Sequence, residues 1–175
     1  MYNPKSIYCS YAFDVICSYI KSGKKPNLDK YIEIKELKEK RGCFVSIHKN
    51  GELRGCIGTI TPYRESLFYE IMENAIAAST KDPRFMPLSE SELAQIDISV
   101  DILSEPEKIN SFDELDHIKY GVIVSKGLRK GVLLSNLEGV NSWEEQLMIA
   151  KSKAGLAEFK NSDIDIYRFS SERYY

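Results

Sequence analysis

Apolar residues recur along the chain at two periods, and the changes of period mark its elements. From Ser6 to Ser22, Tyr8, Ala12, Val15 and Tyr19 fall at helical spacing, with Ile16 and Ile20 widening the stripe. This predicts an amphipathic helix that stops near Gly23. Residues 21–30 form a basic, proline-containing connector, and residues 31–41 read as loop or short strand. Alternation over Cys43–His48, followed by Lys49-Asn50-Gly51, predicts a β-hairpin whose second strand reaches Thr59. Thr61-Pro62 has the form of a helix entrance, with Thr as cap and Pro in the first turn. Phe68, Ile71, Met72, Ala75 and Ile76 give that helix a buried stripe as far as Thr80. Residues 81–87 break it, and Ser89 with Glu92 is a capping box for a short helix. Ile96, Ile98, Val100 and Ile102 alternate with polar residues, the cleanest half-buried strand in the chain. A charged connection leads to a second hairpin: Gly121–Ser125, a turn around residues 126–130, then Gly131–Leu134. Ser142 and Glu145 cap a helix that turns Trp143, Leu147, Ala150 and Ala154 inward and stops at Gly155, and a last strand covers Ile164–Phe169. Helices and hairpins intermix without an internal repeat. The expected fold class is α+β (mixed α/β), a mixed or antiparallel sheet with flanking helices. Residues 1–175 would form a single domain, two lobes in one compact unit.

The register of the first hairpin bears on chemistry. A two-residue Asn50-Gly51 turn would put Val45 and Ile47 on the face of Arg54 and Cys56. A three-residue turn with Gly51 left-handed sorts the faces better. Val45, Ile47, Leu53, Gly55 and Ile57 then share the apolar face, and Phe44, Ser46, His48, Glu52, Arg54 and Cys56 the other. In that register Phe44 faces Cys56, Ser46 faces Arg54 and His48 faces Glu52.

Composition narrows the classes. The chain has 175 residues, 43% hydrophobic and 29% charged, long enough to bury a core without staples. A net charge of −2 argues against a general electrostatic grip on nucleic acid. No apolar run has the length of a membrane span, and Met1-Tyr2-Asn3-Pro4-Lys5 lacks a signal-peptide core, so a cytoplasmic protein is expected. Cys9, Cys17, Cys43 and Cys56 match no zinc spacing. Cys9 and Cys17 share the first helix roughly 12 Å apart and cannot bridge, so both are expected to be reduced, buried thiols. The two histidines and scattered carboxylates form no metal constellation, and no glycine-rich loop has a phosphate- or dinucleotide-binding spacing, so neither metal nor cofactor is expected.

The unusual stretch is Gly51-Glu52-Leu53-Arg54-Gly55-Cys56-Ile57-Gly58-Thr59. Glycine inside a strand marks a bulge or the close approach of another backbone or a ligand. Cys56 with His48 suggests a thiol nucleophile. In the preferred register, however, His48 lies roughly 13 Å along the strand from the thiol, beyond reach of a general base. His117 could serve only if the fold brings it close. Arg54 two residues away, and a helix N-terminus near Thr61, would lower a thiol pKa or hold an anion on the backbone N–H groups of residues 58–63. The plain alternative is that Arg54 pairs with Glu52 or Asp82 while Cys56 packs on Phe44. Asp82-Pro83-Arg84-Phe85 is either a helix terminator or the second wall of a pocket, with Arg84 on it. Lys126, Arg129 and Lys130 give a basic hairpin tip, a solvated turn or a contact for phosphates or an acidic partner.

Leu53-Arg54-Gly55-Cys56-Ile57-Gly58-Thr59 resembles the signature of the AMMECR-type domain family. The resemblance continues through Glu73-Asn74-Ala75-Ile76-Ala77-Ala78 and Asp82-Pro83-Arg84-Phe85. It returns at Tyr120-Gly121-Val122, Gly131-Val132-Leu133-Leu134 and Lys153-Ala154-Gly155-Leu156. Where many members have Leu-Leu-Pro, Ser135 here follows Leu133-Leu134. The chain is most similar to the prokaryotic members known as AmmeMemoRadiSam system protein A. The resemblance implies a two-lobed α/β fold and the company of a Memo-like protein and a radical SAM protein, sometimes fused to the domain. It implies no defined reaction. Three readings stand. The first is an accessory component that binds a partner or a small anionic ligand through Arg54, Gly55, Gly58, Thr59 and Arg84. The second is an enzyme with Cys56 as nucleophile on a small anionic substrate. The third and weakest is nucleic-acid binding.

Overall fold

A computed structural model describes residues 2–175, an α+β fold whose strands form two four-stranded antiparallel sheets. The chain divides into two compact units, one running through Leu103 and taking in Glu172–Tyr175, the other Ser104–Ser171. Among the described residues no helix is long and apolar enough to cross a membrane.

In the first unit, helix α1 (Ile7–Ser22) starts where Ser6 Oγ accepts the Cys9 N–H. It stops at Gly23, whose positive φ lets its own N–H reach back to the Tyr19 carbonyl. Strands β1 (Cys43–Lys49) and β2 (Glu52–Thr59) form the hairpin, helix α2 (Leu67–Thr80) follows, and β3 (Ile96–Leu103) pairs with the far side of β1. Val45 and Ile47 of β1 and Ile98, Val100 and Ile102 of β3 turn to one side, where they share a core with Val15 and Ile16 of α1 and Leu67, Ile71 and Ala75 of α2. Each fully buried aliphatic of this kind contributes about 1.5–3 kcal/mol, so the sheet face and the two helix stripes hold each other. A late strand, β8 (Ser171–Tyr174), completes the order β2-β1-β3-β8.

In the second unit, β4 (Glu107–Lys108), β5 (Gly121–Lys126), β6 (Arg129–Leu133) and β7 (Asp165–Phe169) take the order β4-β7-β5-β6. Helix α3 (Trp143–Lys153) lays Leu147 and Ala150 on Val122, Val124 and Leu133. Gly131 is the close-approach point: a Cβ there would stand 2.1 Å from the Ala150 carbonyl oxygen.

The hairpin register differs from expectation in an instructive way. Lys49 pairs with Glu52, so the turn is the two-residue Asn50-Gly51, both at positive φ. The faces are nevertheless sorted as burial requires, because the register shifts between Ile47 and His48. Ile47 pairs with Gly55 and His48 with Leu53, which leaves Arg54 as the extra residue of a bulge. Cys56 therefore stands opposite Ser46, and Phe44 opposite Gly58.

The second difference is the start of α2. Thr61-Pro62 lies in a loop, and the helix begins after Ser66. The buried Glu70 carboxylate holds that loop by accepting from the Arg64 N–H and from Thr59 Oγ1, an arrangement that a helix through residues 61–66 could not make. Residues 31–41 form no strand; they follow the short 3₁₀ turn Asp29–Tyr31 and contribute a second, Lys35–Lys38, which buries Leu37.

Candidate functional site

The Arg54–Cys56 stretch lies on β2, the outer strand of its sheet. In an antiparallel strand, alternate residues turn both main-chain groups away from the partner. Cys56 is such a residue: its N–H donates to Asp82 Oδ2 at 2.8 Å, and its carbonyl accepts from Arg84 Nη2 at 3.3 Å. Arg84 in turn chelates the same carboxylate, through Nε at 2.9 Å and Nη2 at 2.7 Å, and its backbone N–H adds a bond to Oδ1. The Asp-Pro-Arg turn thus closes the sheet edge at Cys56 with a side-chain acceptor and a side-chain donor, the two groups that another strand would have supplied.

Arg54, freed from the ladder by the bulge, reaches the other way. It makes a fork to Glu92, Nε to Oε1 at 3.0 Å and Nη2 to Oε2 at 3.2 Å, and donates Nη1 to the Met86 carbonyl. Glu92 also receives Lys49 Nζ and the N–H and hydroxyl of Ser89. The Phe85 ring lies 6.0 Å from the Arg54 guanidinium and 5.4 Å from that of Arg84. Residues 82–92 are therefore fastened to β2 at Asp82 and at Glu92, with Phe85 between two cations. Met86 stands 80% exposed on this loop. Arg84 holds the Asp82 carboxyl well below the usual carboxylate range, with help from the Cys56 and Arg84 N–H groups. Arg54 does the same for Glu92, assisted by Ser89.

The thiol itself has modest company. Cys56 is half-buried, and Ser46 Oγ donates toward Sγ at 3.2 Å across a pair whose side chains sit close. His48 is two residues from Ser46, roughly 7 Å along the strand and nearer than the expected separation, but still outside hydrogen-bonding range. Burial chiefly, and then Arg173, push its pKa down. His117 belongs to the second unit. The helix end beside Cys56 is the opposite of the one expected. A Cβ on Gly55 would stand 2.3 Å from the Ala78 carbonyl oxygen, so the last turn of α2, with its partial negative charge, abuts this strand.

The remaining expected site residues divide between support and surface. Gly58 makes room for the Phe44 ring, which a Cβ would meet at 2.3 Å. Thr59 Oγ1 is engaged by Glu70 and Asn74. Arg54 pairs with Glu92 rather than with Glu52 or Asp82. Sequence reasoning placed Ser46 opposite Arg54 rather than Cys56, and missed Glu92 as a neighbour of the motif. Glu92 had announced itself as a capping-box residue, but its second duty to Arg54 depends on a bond across 38 residues. At the other hairpin tip, Lys126 and Arg129 lie over the Phe159 ring, each at 4.8 Å, and donate to the Asp163 and Gly155 carbonyls. Among the described residues no three His, Cys, Asp or Glu side chains converge as metal ligands.

Residues 9–174 match the AMMECR1 family. A protein of Thermotoga maritima is 51% identical over 95% of this chain and 96% of its own length. A Clostridium acetobutylicum protein is 45% identical over 97% of this chain, which spans 36% of that longer protein. The crystal structure of an uncharacterized protein from Pyrococcus horikoshii superposes with a TM-score of 0.85 at 31% identity, covering 95% of this chain and 88% of that one.

Proposed function

The chain belongs to the AMMECR1 family, and on that premise we propose that it is an accessory protein that docks a protein partner on the face built around Cys56. The observation that carries this reading is the double fastening of the 82–92 loop. Asp82 and Arg84 close the strand edge, Arg54 and Glu92 hold the far end, and Met86 projects beside an Arg84 whose side chain is 54% exposed. A rigid loop presenting an apolar tip and a guanidinium loses little entropy on binding, the condition that favours an interface anchor. Both arginines are already charge-paired, which favours a protein surface over a small anionic ligand. In this reading Gly55, Gly58 and Thr59 support the face from behind, and Arg54, Cys56 and Arg84 form it.

The partners we propose are a Memo-like protein and a radical SAM protein, acting together with this chain in the cytoplasm. The Clostridium relative, in which this domain is about a third of the length, is compatible with a domain that works attached to something larger. The test is co-purification of the tagged protein with each of the two neighbours, using wild type and Met86→Asp. Capture that falls at least tenfold in the variant supports the reading. Capture of neither protein, or capture unchanged by Met86→Asp, refutes it.

A second reading is catalysis by Cys56, favoured by the half-open thiol and by Ser46 Oγ at 3.2 Å from Sγ. Against it, His48 lies roughly 7 Å along the strand from Ser46, the residue opposite Cys56, outside the reach of a general base. Alkylation by iodoacetamide at pH 7 separates the two readings: a docking face gives Cys56 the reactivity of an ordinary thiol, whereas a nucleophile would label many times faster.

A further inference from the structure

The β5–β6 hairpin ends in a leucine that the fold leaves open. Lys126 pairs with Arg129, so the turn is the two-residue Gly127-Leu128, with Gly127 in the left-handed region at φ +59°. Leu128, the second turn residue, is 105% exposed. Three cations stand directly behind it. Lys126 and Arg129 are cross-strand partners and share one face, and Lys130, the next residue along β6, turns to the other. The first two are fixed by neutral groups. Lys126 Nζ donates to the Asp163 carbonyl at 2.7 Å, Arg129 Nη1 donates to the Gly155 carbonyl at 3.0 Å, and each cation lies 4.8 Å from the centre of the Phe159 ring. Lys151 Nζ ties the same loop through the Phe159 carbonyl and Asn161 Oδ1. Such bonds position an ammonium or guanidinium group without neutralising it. The loop adds Lys160 against Glu158 and Asp163, so five cations stand against two carboxylates, and Asp165 is engaged by Lys108.

The order of these groups in depth selects the occupant. Leu128 is the apex, Arg129 follows roughly 3.4 Å behind it along the strand and Lys130 roughly 7 Å behind. An anionic bilayer presents the complementary order: a negative headgroup layer outside, and an acyl boundary reached within about 5–10 Å. A protein partner would need a socket that encloses a whole leucine inside an acidic rim, whereas a fluid interface closes around any convex tip. We propose that the Gly127-Leu128 tip docks the protein peripherally on an anionic lipid bilayer, with Leu128 entering the acyl boundary and Lys126, Arg129 and Lys130 lying at the headgroup phosphates. One apolar side chain and three charges make the contact weak and reversible, no stronger than the association constant of about 10⁴ M⁻¹ that a single acyl anchor provides. It is independent of the Cys56 face, and either can fail without the other.

The test is co-sedimentation of the full chain at low salt with vesicles of phosphatidylglycerol and phosphatidylcholine in equal parts. Partitioning should be measurable at millimolar lipid. It should fall at least tenfold on pure phosphatidylcholine, and at least tenfold in about 0.5 M salt, where the screening length drops below about 5 Å. Leu128→Ser should weaken it severalfold at unchanged Tm, because the side chain is fully exposed, and Lys130→Glu should weaken it severalfold. Leu128→Trp should bind at least as well as wild type, and its added emission should be quenched by brominated acyl chains. Absence of partitioning on the anionic vesicles overturns the proposal. So does equal partitioning on pure phosphatidylcholine, or emission from Leu128→Trp that brominated chains leave unquenched. Salt-sensitive binding that Leu128→Ser leaves intact would assign the tip to an acidic protein surface and also overturn it.

Discussion

Replacing Asp82 with alanine tests the edge closure directly. The side chain is 2% exposed and accepts from the Cys56 N–H, the Arg84 N–H and the Arg84 guanidinium. Leaving a buried N–H without an acceptor costs about 1–3 kcal/mol. The ion pair contributes about 1 kcal/mol or less, because the Arg84 side chain is 54% exposed and its charge is screened. The lost bond to the Arg84 N–H adds about 0.5–1 kcal/mol. The sum is about 3 kcal/mol, or about 6–12 °C in Tm for a chain of this size. Asp82→Asn keeps one carbonyl acceptor and should lose about half as much. The assay is urea unfolding at pH 7 by circular dichroism, with the slope m unchanged, joined to hydrogen exchange at the Cys56 amide, which should accelerate. The pH dependence has a definite sign. Asp82 has a depressed native pKa, so its contribution is fully present above the unfolded value near 3.9 and is lost as pH falls through the native value. The gap between wild type and Asp82→Ala should therefore narrow below about pH 4. A loss under 1 kcal/mol, an asparagine variant as damaged as the alanine one, or a gap that widens in acid would each refute this account.

Other outcomes follow from the same geometry. Gly55→Ala should cost about 1–3 kcal/mol in urea unfolding, because its Cβ would lie 2.3 Å from the Ala78 carbonyl oxygen and α2 must move; a neutral substitution would show the helix to be movable. Cys43 and Cys9 should resist alkylation in the native state, since burial pushes both thiols up, Cys43 to about 12, and fast labelling at either would contradict the core as described. Glu92→Gln should loosen residues 82–92, measured as faster exchange at the Met86 and Ser89 amides with little change in global stability. Oligonucleotide binding that weakens steeply with salt is not expected at a net charge of −2, and its detection by anisotropy would revive the nucleic-acid reading.

Legibility in the sequence followed how local the deciding interactions are. Ile96–Leu103 declared itself because every second residue faces one core, and α1 because its stripe and its Gly23 stop agree. Gly55 lies in a stretch read as holding a bulge or a close approach, and a Cβ there would stand 2.3 Å from the Ala78 carbonyl oxygen of a helix. The bulge at Arg54 escaped notice because a three-residue turn and a two-residue turn plus bulge sort the hydrophobic faces alike. The start of α2 was misread because Thr61-Pro62 satisfies local capping rules, while the buried Glu70, nine residues on from Thr61, decides otherwise by holding Thr59 and Arg64. Strand β8 has no alternating apolar pattern at all. Ser-Glu-Arg-Tyr becomes a strand through pairing with β3 and the Arg173–Asp101 bond.

The register correction also changes what the Cys56 motif is for. In the expected register an unpaired arginine and a thiol shared a polar face beside a helix amino terminus, an arrangement suited to anions. The bulge instead swings Arg54 to Glu92, and Cys56 turns its main-chain groups to Asp82 and Arg84. Four residues of Leu53–Thr59 are thereby committed to holding something: Gly55 the end of α2, Gly58 the Phe44 ring, Thr59 Glu70, and Arg54 the Glu92 end of the loop whose other end Arg84 holds through Asp82. A motif with these members occupied constrains the shape of the surface it underlies, and that surface is where the exposed Met86 and Arg84 stand. Substitutions inside the motif should therefore impair partner capture in proportion to how far they release residues 82–92. Met86→Asp should impair it without releasing the loop at all. Capture and amide exchange measured on the same variants distinguish the two routes, and a motif variant that kept the loop fixed yet abolished capture would return the chemistry to Cys56 itself.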